Sequence, residues 1–122
     1  VILVTGARDL ADPRPVAEAL SQYQGAVLVV HGAACGTDAL AAQYAAGRGW
    51  GMLPMPAQWE LYGNAAGPRR NQVMLNVTIA LGDCGYRAVV HAFPGPRSRG
   101  TWDMVRRARE AGLDVRVHDV CC

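Results

Sequence analysis

Short apolar runs punctuate the chain: VILV at 1–4, AVLVV at 26–30, GMLPM at 51–55, AVVHAF at 88–93 and VRVHDV at 115–120. Continuous runs rich in Val or Ile are what strands covered on both faces look like. The intervening segments carry a helical period instead. The first has Asp12 as cap and Pro13 in the opening turn, with Val16, Leu20 and Tyr23 on one face. The second begins near Thr37 or Asp38 and carries Leu40, Ala41, Tyr44 and Ala45. A third runs from about Pro68 with Val73, Met74, Val77 and Leu81 inward. The fourth follows Gly100 and Thr101, turns Met104, Val105, Ala108 and Ala111 inward, and stops at Gly112.

Strand and helix alternate along the whole chain, which predicts an α/β, Rossmann-like three-layer fold with a parallel sheet of about five strands. Right-handed crossovers then bring every strand-to-helix loop to the carboxyl edge of the sheet, where ligands bind in such folds. No linker, repeat or low-complexity stretch interrupts the pattern, so residues 1–122 are expected to form a single domain.

Those loops are the chemically unusual part of the sequence. They read TGARD at 5–9, HGAACGTD at 31–38, PAQWELYGNAAGPRRN at 56–71 and FPGPRSRGTWD at 93–103. Glycine permits close backbone approach, and a helix N-terminus offers free amides with partial positive charge. Gly6, Gly32, Gly36, Gly95 and Gly100 are therefore candidate phosphate cradles, with Thr5, Thr37 and Thr101 as hydroxyl donors. Arg8, Arg69, Arg70, Arg97 and Arg99 supply planar forks suited to phosphate. Arg106, Arg107 and Arg109 fall on the outward side of the last helix and read as a solvated face. Trp59, Tyr62 and Trp102 are loop aromatics that either stack on a base or pack the long loop against the sheet. His31 is either a core histidine or a ligand contact, whereas His91 and His118 read as structural. Neither the spaced G-x-x-x-x-G-K-[ST] nor a strict G-x-G-x-x-G occurs, which disfavours ordinary kinase and dehydrogenase chemistry.

Composition narrows the partners. A net charge of +2 on 122 residues makes no demand for nucleic acid. No apolar stretch approaches the roughly 20 residues that span a bilayer, so no membrane partner is expected. VILV is too short, and lacks the basic flank, for a secretory signal. Cys35, Cys84, Cys121 and Cys122 form no CxxC pair and no Cys/His spacing suited to zinc, and adjacent Cys121 and Cys122 are poorly placed to bridge each other. The expectation is a reduced, cytoplasmic protein with no metal and no cofactor, in which Cys35 has the local setting of a reactive thiol.

The segments VTGARD, VVHGAACGTDALAAQYA, WELYGNAAGPRRNQVML and FPGPRSRGTWDMVRRAREAGLDV occur in this order over nearly the whole chain. Together they resemble the SLOG superfamily, Rossmann-like proteins that include the lonely-guy phosphoribohydrolases and DprA, and most closely the small YspA-like, YpsA-related branch. The resemblance implies a nucleotide or nucleotide-derived ligand, ADP-ribose- or NAD-like or a nucleoside monophosphate, at the carboxyl edge of the sheet. It also leaves a homo-oligomer open, since lonely-guy proteins form dimers whose subunits complete each other's sites.

Lonely-guy enzymes cleave the N-glycosidic bond of nucleoside monophosphates and carry P-G-G-x-G-T-x-x-E with an R-K-x-x-M segment. Here Arg70 and Met74 match the latter, with Asn71 in the lysine position. Pro94, Gly95, Gly100 and Thr101 match the phosphate half, although the loop is longer and Pro96 replaces a glycine. Met104 occupies the position of the catalytic Glu. The nearest acid, Asp103, is rotated by roughly 100° along a helix; it is a catalytic candidate or an acid stabilising the first helical turn. Asp38, in a GTD resembling the G-I-D of DprA, is the other candidate, with capping as its alternative. The implied catalytic set is Asp103, Arg70 and Asp38. The implied binding set is Thr5, Gly6, Arg8, Gly32, Gly36, Thr37, Trp59, Arg70, Asn71, Pro94, Gly95, Arg99, Gly100 and Thr101. Ligand binding, as sensor or processing protein, leads; a phosphoribohydrolase is the alternative. DprA-like binding of single-stranded DNA comes last, because the chain is short and near neutral.

Overall fold

The computed structural model describes residues 1–119. Its centre is a sheet of five parallel strands: β1 (Ile2–Gly6), β2 (Leu28–His31), β3 (Gly51–Pro54), β4 (Val89–Phe93) and β5 (Asp114–Val117), ordered β3-β2-β1-β4-β5. Leu3 of β1 lies opposite Val30 on one side and Val90 on the other. The fold is the expected Rossmann-like three-layer α/β arrangement.

Alternation along β1 sends side chains to two separate cores. Ile2 and Val4 pack with Val16, Ala19 and Leu20 of α1 (Arg14–Leu20) and with Ala41 and Ala45 of α2 (Thr37–Gly47). Leu3 packs on the opposite face with Met74 and Leu75 of α4 (Ala66–Asp83) and with Met104 and Ala108 of α5 (Arg99–Glu110). The chain runs outward from β1 through β2 to β3, then crosses back along α4 to lay β4 on the other side of β1. Crossovers therefore diverge between β1 and β4, which opens a crevice at their carboxyl ends.

Several local expectations change. The segment 56–71 is largely helical: α3 (Trp59–Tyr62) leads through a 3-10 turn at Gly63–Ala65 into α4, which starts at Ala66 rather than Pro68. On α4 the buried stripe is Asn71, Met74, Leu75 and Thr78, while Val73 is exposed. Two polar residues belong to that stripe because their groups are satisfied locally; the Thr78 hydroxyl donates to the Met74 carbonyl at 2.9 Å. Ala111 is exposed at the end of α5. Pro13, not Asp12, precedes α1, and Asp12 instead accepts the Arg14 amide at 3.0 Å. β5 ends at Val117, so His118 and Asp119 of the expected strand are not part of it, and its last position, residue 120, with Cys121 and Cys122, lies outside the described residues. Cys35 and Cys84 are exposed and unbridged. Among the described residues no helix is long and apolar enough to cross a membrane.

On the α1 face, fully buried His91 bonds Tyr23 Oη through Nε2 at 2.6 Å and His118 Nε2 through Nδ1 at 2.7 Å. His118 also stacks on Phe93 at 4.6 Å. Burial, then the neighbouring His118 and Arg116, push His91 down to about 4, so the trio is neutral and holds β4 to the loop after α1.

Candidate functional site

A cleft of about 1420 Å3 opens at the divergence of the crossovers. The end of β1 with the loop that follows it, the loops after β2 and β4, the first turns of α2 and α5, and the second turn of α4 form its walls. Of the expected residues it is lined by Thr5, Gly6, Arg8, Asp38, Arg70, Asn71, Gly95, Arg99, Gly100 and Thr101. Gly32, Gly36, Thr37, Trp59, Pro94 and Asp103 are not among the lining residues. Asp9, Ala34, Ser98 and Trp102 line it in addition to Arg97. Asp9 and Ser98 gave no separate signal, although both lie within the quoted loops.

The glycines divide into two groups. A Cβ on Gly6 would strike the Thr37 side chain, and one on Gly36 would strike the Ala7 carbonyl. These two glycines let the start of α2 press against the end of β1; Gly36 also holds φ at 69°. Thr37 is fully buried, and its hydroxyl donates to the Ala7 carbonyl at 3.0 Å, so it is engaged in packing rather than facing the cleft. Gly100 behaves differently: a Cβ there meets nothing within 4 Å. No contact within the protein requires a glycine at that place, which is in the first turn of α5 and on the cleft wall. Beside it the turn at 94–98 is closed by the Gly95 amide donating to Ser98 Oγ at 2.7 Å.

Asp38 and Arg70 organise the other wall. Asp38 is 6% exposed, and its Oδ2 accepts the amides of Gly32 at 3.0 Å and Ala34 at 3.2 Å. It thus gathers the loop before α2 rather than capping the helix amides. Its Oδ1 is buried with no hydrogen-bond partner among the described residues. Burial raises the carboxyl to about 6, against the opposing pull of the Ala34 amide, Arg70, the Gly32 amide and Arg8. Arg70 donates to the Gly32 carbonyl at 2.6 Å and to Asn71 Oδ1 at 3.2 Å, and burial lowers its pKa. Gly32 has no room for a Cβ because the Arg70 guanidinium lies over it. His31 is buried, and its Nδ1 accepts the Ala33 amide at 3.0 Å; it shapes this loop as a core histidine, with burial lowering its pKa.

Asp103 belongs to a different network. α5 begins at Arg99, so Asp103 sits in its second turn and does not serve the first-turn amides. Its carboxylate accepts from Asn71 Nδ2 at 3.1 Å, Arg106 at 3.0 Å and Arg107 at 2.9 Å. Those bonds to Asn71, Arg107 and Arg106 hold its pKa low although partial burial opposes them. Arg107 is not solvated on an outer face, since it also donates to Gln72 of α4 at 2.8 Å. Asn71 Nδ2 further donates to the Gly100 carbonyl at 3.1 Å, so this amide links α4 to the start of α5.

Trp59 lies outside the lining, with its ring against Gly67 and the Arg8 guanidinium over it at 5.5 Å. Tyr62 similarly carries Arg69 at 4.3 Å, and both aromatics are exposed on α3. Trp102, half exposed, is the aromatic on the cleft wall. No group of three or more His, Cys, Asp or Glu among the described residues could hold a metal ion.

The model of the family described as "YspA, cpYpsA-related SLOG family" matches residues 1–62, from β1 through α3. A curated relative, the Gene 61 protein of Mycobacterium phage D29, is 36% identical over 93% of this chain and 92% of its own length. The chain belongs to the YspA, cpYpsA-related SLOG family. Among solved structures this SLOG chain is similar to DNA processing protein A (DprA) from Streptococcus pneumoniae, with a TM-score of 0.56 and 15% identity over 94% of its length. It spans 57% of that DprA chain. At this identity the likeness is one of fold alone.

Proposed function

We propose that the cleft binds a nucleotide or nucleotide-derived ligand, with phosphate at the start of α5. The observation that carries this is the combination on one wall of an open Gly100, Thr101 in the first helical turn, and Arg97 and Arg99 beside them. Free amides and the helix dipole favour an anion at such a terminus, and guanidinium forks strengthen it. Arg8 and Arg70 add positive charge on the facing side. Trp102 offers a ring on which a base can stack. The volume is generous for a mononucleotide by the usual range of ligand pockets, which favours ADP-ribose- or NAD-like molecules alongside AMP. Calorimetry with AMP, ADP-ribose and NAD tests the proposal: saturable binding by at least one supports it, and no binding by folded protein overturns it.

Cleavage of the N-glycosidic bond is a second reading, and it is Asp38 rather than Asp103 that favours it. A cleft carboxyl whose pKa is raised to about 6 exchanges protons close to neutrality, the acid–base work on departing base and attacking water that glycosidic cleavage uses. Release of free base from AMP that disappears in Asp38→Asn supports turnover. Binding of single-stranded DNA is the weakest reading on a near-neutral chain; strong, salt-sensitive binding would revive it.

A further inference from the structure

We infer that the Asp38 carboxylate accepts a hydroxyl of the ligand's sugar, so that the cleft selects ribose over deoxyribose. The inference rests on the proposal that phosphate sits at the start of α5. Asp38 is more than nine-tenths buried yet lines the cleft, and its Oδ1 has no partner among the described residues. A buried carboxylate oxygen with nothing to accept is costly, and loop geometry accounts only for Oδ2, which takes the Gly32 and Ala34 amides. The aspartate χ2 torsion is soft, and rotation about it is the movement by which the buried oxygen would turn toward a ligand.

The chemistry of the missing donor follows from its surroundings. An anion is repelled by the carboxylate itself. A second cation is disfavoured because Arg70 and Arg8 already act on Asp38. A neutral hydroxyl supplies a hydrogen bond without adding charge. Position agrees: β2 and β4 flank β1, so their carboxyl ends lie roughly 10 Å apart, two strand spacings. A pentose carrying a 5′-phosphate bridges that gap, with phosphate over α5 and its ring hydroxyls toward α2. Burial that raises Asp38 to about 6 also fits an acceptor left waiting for a donor.

Calorimetry with AMP, 2′-deoxy-AMP and 3′-deoxy-AMP on the wild-type chain and on Asp38→Ala decides the matter. AMP is expected to bind wild type about tenfold or more tightly than the analogue lacking the engaged hydroxyl, the usual worth of a hydrogen bond to a charged group. In Asp38→Ala that ratio falls to about one. Equal binding of all three by wild type, as a donor on the base would give, overturns the hydroxyl assignment and leaves nucleotide binding standing. A preference that persists undiminished in Asp38→Ala overturns it as well. No binding by any of the three overturns the hydroxyl assignment, and nucleotide binding falls with it only if ADP-ribose and NAD also fail to bind the folded protein. The wild-type ratio reports that a ribose hydroxyl is engaged, and loss of the ratio in Asp38→Ala with AMP binding retained assigns its partner to Asp38. Loss of AMP binding together with the ratio is what a purely structural role in holding the loop would give, and it overturns the assignment.

Discussion

The Thr37 side chain occupies the space that a Cβ on Gly6 would take. The end of β1 and the start of α2 are thus pressed together at the floor of the cleft, and this contact separates two kinds of glycine. Gly6→Ala forces a rigid, fully buried threonine aside and is expected to cost on the order of 2 kcal/mol, as overpacking does. Gly100→Ala meets open space inside α5 and is expected to stabilise the fold by up to about 1 kcal/mol through helix propensity, while weakening AMP binding. Urea unfolding and calorimetry on both variants check the pair.

Asp38 makes stability fall as pH rises. Its carboxyl is raised in the folded chain from 3.8 to about 6. The contribution is fully present below 3.8 and is lost as pH climbs through 6, a total of about 3 kcal/mol by linkage. Asp38→Asn keeps an acceptor for the Gly32 and Ala34 amides but removes the ionisation. The stability difference between variant and wild type is expected to move toward the variant by about that amount between pH 4 and pH 7 in urea titrations.

Asp103 works in the opposite sense. Its folded pKa is lowered, so its contribution is present above the ordinary carboxylate range and is lost as pH falls through the folded value. Its partners Arg106 and Arg107 are partly exposed, which limits the worth of the network to about 1 kcal/mol. Asp103→Asn is expected to lose that stability at pH 7 and to leave AMP binding unchanged. A large drop in affinity would assign Asp103 to the ligand after all.

His91 is expected to stay neutral well into the acid range. Its folded pKa lies near 4, below the ordinary 6.5, so its contribution is full above 6.5 and is lost as pH falls through 4. The loss amounts to about 3 kcal/mol. Tyr23, His118, Arg116, Arg87 and Asp114 are the titratable and charged groups that act on it. Imidazole carbon-proton shifts followed by NMR should place its midpoint near 4; a midpoint at 6 or above would contradict the buried, neutral trio.

The sheet, the alternation and the four clustered loops were legible because apolar runs and helical period report burial directly. Helix phase was less so: Val73 looked inward from its apolarity, but Asn71 and Thr78 hold the buried stripe because each finds a local hydrogen bond. Glycine roles were hidden for a similar reason. Sequence shows that Gly6, Gly36 and Gly100 lack a Cβ; only the neighbours show whether a helix or open space lies where it would be. The different settings of Asp38 and Asp103 depend on burial and on partners contributed by α4, information that motif spacing does not contain. Tyr23 and His91, 68 positions apart, meet only through the tertiary fold.

Asn71 joins Arg70 on one side to the Gly100 carbonyl and Asp103 on the other. The two helices that frame the cleft are therefore fastened to each other at their leading ends before any ligand arrives. Such preorganisation lowers the ordering entropy lost on association, so the proposed phosphorylated ligand would need few contacts to be held there.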